Sequence, residues 1–126
     1  MDEDEADRAL DDAVGPFYDA AGLQSWLELR EEQVLDLIRD GHILAVRTLD
    51  GDVLFPSFQF GPNGDFLPRL NEVFIALRST LDEWSIAQWL LYEEPPRAIS
   101  YAGRLRAGET HAVIRDAIRQ AEILRH

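Results

Sequence analysis

The sequence predicts a mainly helical α+β protein: a helix pair and a two-stranded hairpin, packed on a lobe of three to four helices. Three observations lead there. Val34, Leu37, Ile38 and Gly41 fall at i, i+3, i+4 and i+7, the spacing of one buried helical stripe. The run Ile43–Arg47 is joined through Asp50-Gly51 to a short partner, Val53–Phe55, which is a tight-hairpin pattern. At 126 residues, 46% of them hydrophobic, the chain can bury the core of one domain, or of two small lobes sharing a core.

In chain order, Pro16 opens a short helix, FYDAAGLQSWL, with Leu23, Trp26 and Leu27 on one side. The segment ELREEQVLDLIRDG gives a second helix, with Gly41 placed to end it in a left-handed conformation. The hairpin follows. PSFQFGPNGDF reads as a loop with a short helical turn at Ser57–Phe60. Pro68 suits the start of the next helix, which gathers Leu70, Val73, Phe74 and Leu77 on one face. Asp82 can cap EWSIAQWLLY, whose nearly encircling apolar residues argue for burial, and Pro95-Pro96 stops it. After the short segment SYAGRLRAG, a last helix over Glu109–Arg125 turns Ile114, Ala117, Ile118, Ala121 and Leu124 inward and Arg115, Arg119 and Glu122 outward. Three regions result: an acidic, disordered tail over 1–15, the helix pair and hairpin over 16–60, and a helical lobe for dimerisation or partner binding over 61–126.

Charge and composition exclude several classes. No apolar run approaches the length of a membrane span, and MDEDEADRALDD is the opposite of a secretory signal, so a cytoplasmic location without membrane contact is expected. Cysteine is absent, which removes disulfides, thiol nucleophiles and thiolate metal sites. His42, His111 and His126 have no second ligand at metal-binding spacing. There is no HExxH, nucleophile elbow, phosphate-binding GxxxxGK[ST] or GxGxxG, and GPNGD at 61–65 lacks a Lys. Asp82-Glu83 and Glu93-Glu94 are adjacent acids that point to different sides of a helix. The expectation is a protein that is not an enzyme and holds no metal or cofactor.

The order of elements resembles a family of actinobacterial winged helix-turn-helix DNA-binding proteins with a C-terminal helical lobe. The residues behind the resemblance are YDAAGL at 18–23, VLDLIRDGHILAVRTLDGDVLFPSFQF at 34–60, LPRLNEVF at 67–74 and the Trp-Leu pair in IAQWLLYEEPP at 86–96. It implies a two-stranded wing beside a second helix that enters the DNA major groove. On this chain that points to Arg30, Gln33 and Arg39 on the helix, His42 after it and Arg47 on the wing as the DNA-binding set, with Gln33 suited to adenine. The helical lobe is more loosely similar to the toxin-binding domain of Xre-type antitoxins, through WLLYEEPP and YAGRLRAGETHAVI; the Pro expected after Gly103 is missing. That resemblance implies a protein partner such as a toxin. Trp84, Trp89, Arg115 and Arg119 are the candidates for its contact, and a homodimer is expected.

Net charge pulls against DNA. The chain carries −12, and residues 27–66 hold eight acids against three Arg. Glu32, Asp36 and Asp40 share the exposed side of the second helix with the candidate cations, whereas phosphate binding draws its affinity from cations. Residues 95–126 are the basic part, with six Arg against three acids. Bland readings stand beside each candidate. His42 covers the last carbonyls of its helix, the two Trp belong to the core, and Arg115 and Arg119 form a solvated face paired with Asp116 or Glu122. The acidic head is a solvated tail or, alternatively, an interaction arm or a shield over a basic surface.

Overall fold

A computed structural model describes residues 14–93 and 95–125 of the chain. The acidic head through residue 13, and with it the expectation of disorder there, lies outside the described residues. Val14, placed by sequence in the tail, is buried in the main core.

Among the described residues the fold is α+β, with six helices and one three-stranded antiparallel sheet. Strand β1 (Phe17–Asp19) leads into helix α1 (Ala20–Leu27) and then α2 (Glu31–Arg39). Strands β2 (Val46–Arg47) and β3 (Val53–Pro56) form the hairpin, and a 3-10 turn spans Ser57–Gln59. Helices α3 (Leu70–Leu77), α4 (Glu83–Leu91), α5 (Tyr101–Arg106) and α6 (Thr110–Arg125) complete the chain. The sheet order is β1-β3-β2, with Tyr18 opposite Phe55 and Val46 opposite Leu54.

The first strand corrects the expected helix at Pro16. Residues 17–19 extend along β3, and the helix starts only after Asp19, whose carboxylate accepts the Gly22 N–H at 2.7 Å. Three residues are too few for an alternating pattern to show, so the partner strand decides. A turn over residues 28–30, with Glu28 left-handed at φ 56°, joins α1 to α2.

The end of α2 follows the sequence closely. Gly41 lies at φ +78°, its N–H reaches Ile38 O at 3.1 Å, and the His42 N–H reaches Leu37 O at 2.9 Å, the two bonds of a Schellman cap. A Cβ on Gly41 would lie 3.4 Å from the Asn71 backbone and 3.5 Å from Phe74 Cβ on α3. Gly41→Val therefore meets both a disfavoured backbone region and a close neighbour, and should lose on the order of 1–2 kcal/mol of stability in urea titration. Unchanged stability would contradict the role assigned to this cap.

The main core joins both ends of the chain: Val14, Leu44 and Val46 pack with Leu70, Val73 and Leu77 of α3, Ile86 and Leu90 of α4, Leu105 of α5, and Val113 and Ala117 of α6. A smaller cluster of Leu23, Val34, Ile43, Phe55 and Phe60 sits under α1, α2 and the sheet. Asp82 caps α4 as expected, accepting the Ser85 N–H at 2.8 Å. The inward face of α6 is corrected: Val113, Ala117 and Ala121 are buried, while Ile118 and Leu124 are 48% and 46% exposed. Small residues let α6 approach α3 closely, and the seam follows those alanines rather than the bulkier neighbours. The first hairpin strand is shorter than expected, because Ile43 and Leu44 turn into the two cores before pairing begins.

One polar side chain is built into this junction. Gln59 is 1% exposed; its Oε1 accepts the Leu44 N–H at 2.6 Å, and its Nε2 donates to Leu44 O at 2.8 Å and Pro56 O at 3.1 Å. The amide thus supplies the ladder partners that Leu44 lacks.

Candidate functional site

Helix α2, its two ends and the hairpin carry the sequence-predicted cations, and local chemistry engages most of the set. Arg30 precedes α2, with its side chain 77% exposed and 4.0 Å from Glu32. Gln33 is turned back, its Oε1 accepting the Arg30 N–H at 2.8 Å, so its amide caps the helix. Arg39 lies between two acids, 3.1 Å from Asp36 and 3.4 Å from Asp40. These exposed pairs contribute little to stability and give the guanidinium two local partners. His42 is exposed. Arg47 is exposed at the end of β2, and no carboxylate among the described residues lies within ion-pair distance of it.

At 100° per residue, the outermost line of α2 runs through Glu32, Asp36 and Arg39, while Glu31, Leu35 and Ile38 turn towards the hairpin. Between that flank and the sheet lies a groove of about 370 Å³. Val34, Leu35, Ile38, Ala45, Val53 and Phe55 give it an apolar lining, and Glu31, Glu83 and Arg47 supply its charges. Leu35 is 57% exposed. Nothing along the sequence marks the groove, because Leu35 and Ala45 look like ordinary members of their elements until β3 and α2 are brought together.

The residues expected to contact a partner divide between core and surface. The Trp84 indole N–H donates to Arg47 O at 2.8 Å, and its ring meets Phe17 edge-on at 5.9 Å. Trp89 stacks on Tyr101 at 3.9 Å. Both therefore have structural partners. Arg115 and Arg119 are exposed on α6, Arg115 lying 4.0 Å from Asp116.

A second polar cluster went unforeseen. Arg104 on α5 is buried, 3.7 Å from both Glu109 and Asp116, with its guanidinium 5.4 Å from the Tyr101 ring centre. Its Nε has no hydrogen-bond partner. Arg97 grips Glu109 through two bonds of 2.9 Å, and these hold the Glu109 carboxyl below the usual carboxylate range. GRLRAGET alone gives no sign of which Arg is inside, since Arg104 and Arg106 differ only by which side of one short helix they take.

Among the described residues no group of three or more His, Asp or Glu side chains could hold a metal, and no helix is long and apolar enough to cross a membrane.

The α+β fold of helix pair, small sheet and helical lobe has a solved counterpart. The chain is similar to the NMR structure of Rv2175c, with a TM-score of 0.71 and 24% sequence identity over 84% of this chain and 81% of that one. At that identity the likeness is one of fold. No protein-family model matches the sequence, and no curated protein matches it.

Proposed function

We propose that this chain is a non-enzymatic winged-helix regulatory protein that binds duplex DNA, with β2–β3 as its wing and α2 as its reading helix. The observation behind this reading is the arrangement itself: strand, helix, three-residue turn, helix and hairpin, with the first strand paired to the hairpin. That is the order in which a helix-turn-helix with a wing is built. Arg30, His42 and Arg47 would meet phosphates directly, and Arg39 would do so by exchanging Asp36 and Asp40 for the backbone. So few cations make the contact weak and sensitive to salt, and assembly as a homodimer would double them.

The test is duplex binding at two salt concentrations. Arg39→Ala with Arg47→Ala should abolish binding at low salt, whereas Arg115→Ala with Arg119→Ala should barely change it. Each arginine–phosphate interaction removed should also lower the slope of log affinity against log salt by about 0.9. Absence of binding by the unaltered protein at low salt would remove the reading.

A second reading, an antitoxin-like module whose winged-helix lobe meets a protein, is favoured by a different observation. Residues 16–60 carry eight carboxylates against three Arg, and two of those carboxylates hold Arg39. Such a surface suits a basic protein, whose approach it would accelerate.

A further inference from the structure

We propose that the groove between α2 and the hairpin is a docking site for a segment of another protein that presents apolar side chains flanked by basic residues. This deepens the protein-partner reading by fixing the place and the chemistry. The groove opens onto the smaller core: Val34 and Phe55 belong to that cluster and also line the groove. An apolar side chain entering there would extend a core of only five buried residues, and would cover Leu35. A volume of about 370 Å³ has room for such side chains.

Charge selects the occupant. Glu31 and Glu83 line the groove, and neither makes an ion pair with any described residue. They outnumber Arg47 two to one, and residues 16–60, which carry Glu31, have a net charge of −5. The chain's own acidic head bears the wrong sign for this site. A second copy would bring another net −12, and a phosphate backbone laid along the groove would face the same carboxylates. A basic, leucine-bearing segment satisfies both the lining and the charges.

The experiment uses the full chain labelled with 15N and a synthetic peptide of paired leucines flanked by arginines. Two comparison peptides flank the leucines with glutamates, or replace the leucines with glycines. The expected result is saturable movement of the Leu35, Ile38, Ala45 and Val53 amide signals with the first peptide alone. Glu31→Gln combined with Glu83→Gln should weaken binding about tenfold, since two exposed charge pairs are removed. Leu35→Ser, at an exposed position that leaves the fold intact, should weaken it further.

Equal binding of the glutamate-flanked peptide would overturn the proposal, as would shifts confined to another surface. Movement of these amides with protein concentration alone would assign the groove to a second copy. Stronger movement with duplex DNA than with peptide would assign it to nucleic acid. A protein partner that instead engages Trp89, Arg115 or Arg119 would leave the partner reading standing while this site fails.

Discussion

Replacing Gln59 with Leu should lower the unfolding free energy by about 3 kcal/mol, because three backbone groups, the Leu44 N–H, the Leu44 C=O and the Pro56 C=O, lose a partner at once. The Leu side chain is close in size to Gln, so packing changes little. The Leu44 N–H and C=O, however, are bound by the Gln59 amide. Each orphaned group costs roughly 1–3 kcal/mol, and the added apolar atoms recover only part of that. A fall of about 10 °C in melting temperature is the corresponding thermal signature. Gln59→Glu separates the causes. A carboxylate can accept from Leu44 N but cannot donate to Leu44 O or Pro56 O, and burial there raises its pKa above the unfolded value. The variant should therefore gain stability as pH falls through that raised value, when the acid regains one donor. A Gln59→Leu protein as stable as the original would show that solvent reaches Leu44.

The second large effect belongs to Arg104. Arg104→Met should cost on the order of 3 kcal/mol, because it removes the buried cation lying between Glu109 and Asp116. The methionine keeps much of the packing against Tyr101, so the loss isolates the charge. Arg97→Met is the exposed comparison and should have a smaller effect with a distinct pH signature. Glu109 has its pKa depressed, first by the Arg97 hydrogen bonds. Its contribution is complete above the unfolded carboxylate pKa and disappears as pH falls through the lower folded value. The gap between Arg97→Met and the unaltered protein should accordingly close in acid. A gap that stayed constant through that range would show that the Arg97–Glu109 pair is not formed in solution.

Much of the helical layout was legible because it rests on local signals: the stripe ending at Gly41, the Asp82 cap, and the face through Leu70, Val73 and Leu77 each need only a few neighbouring residues. What escaped depends on distant partners. Residues 17–19 become a strand because residues 54–56 lie beside them. Gln59 has its meaning only beside Leu44, fifteen residues away. The α6 seam runs through alanines because α3 comes close, which no periodicity along α6 reveals. Among the candidate site residues, Gln33 and Arg39 were correctly placed on α2, but residue type could not show that one caps the helix and the other is held by acids. The groove arises only when α2 and β3 meet.

The Trp84 indole has a consequence for behaviour in concentrated solution. In the order β1-β3-β2, the β2 strand is an outer one, and its backbone could recruit an extended chain from another molecule. The indole N–H occupies Arg47 O, and the indole ring lies edge-on to Phe17. The strand is also only two residues long. Growth of the sheet past β2 would first have to pull this side chain off the strand, so Trp84 acts as a stopper against self-assembly along that edge.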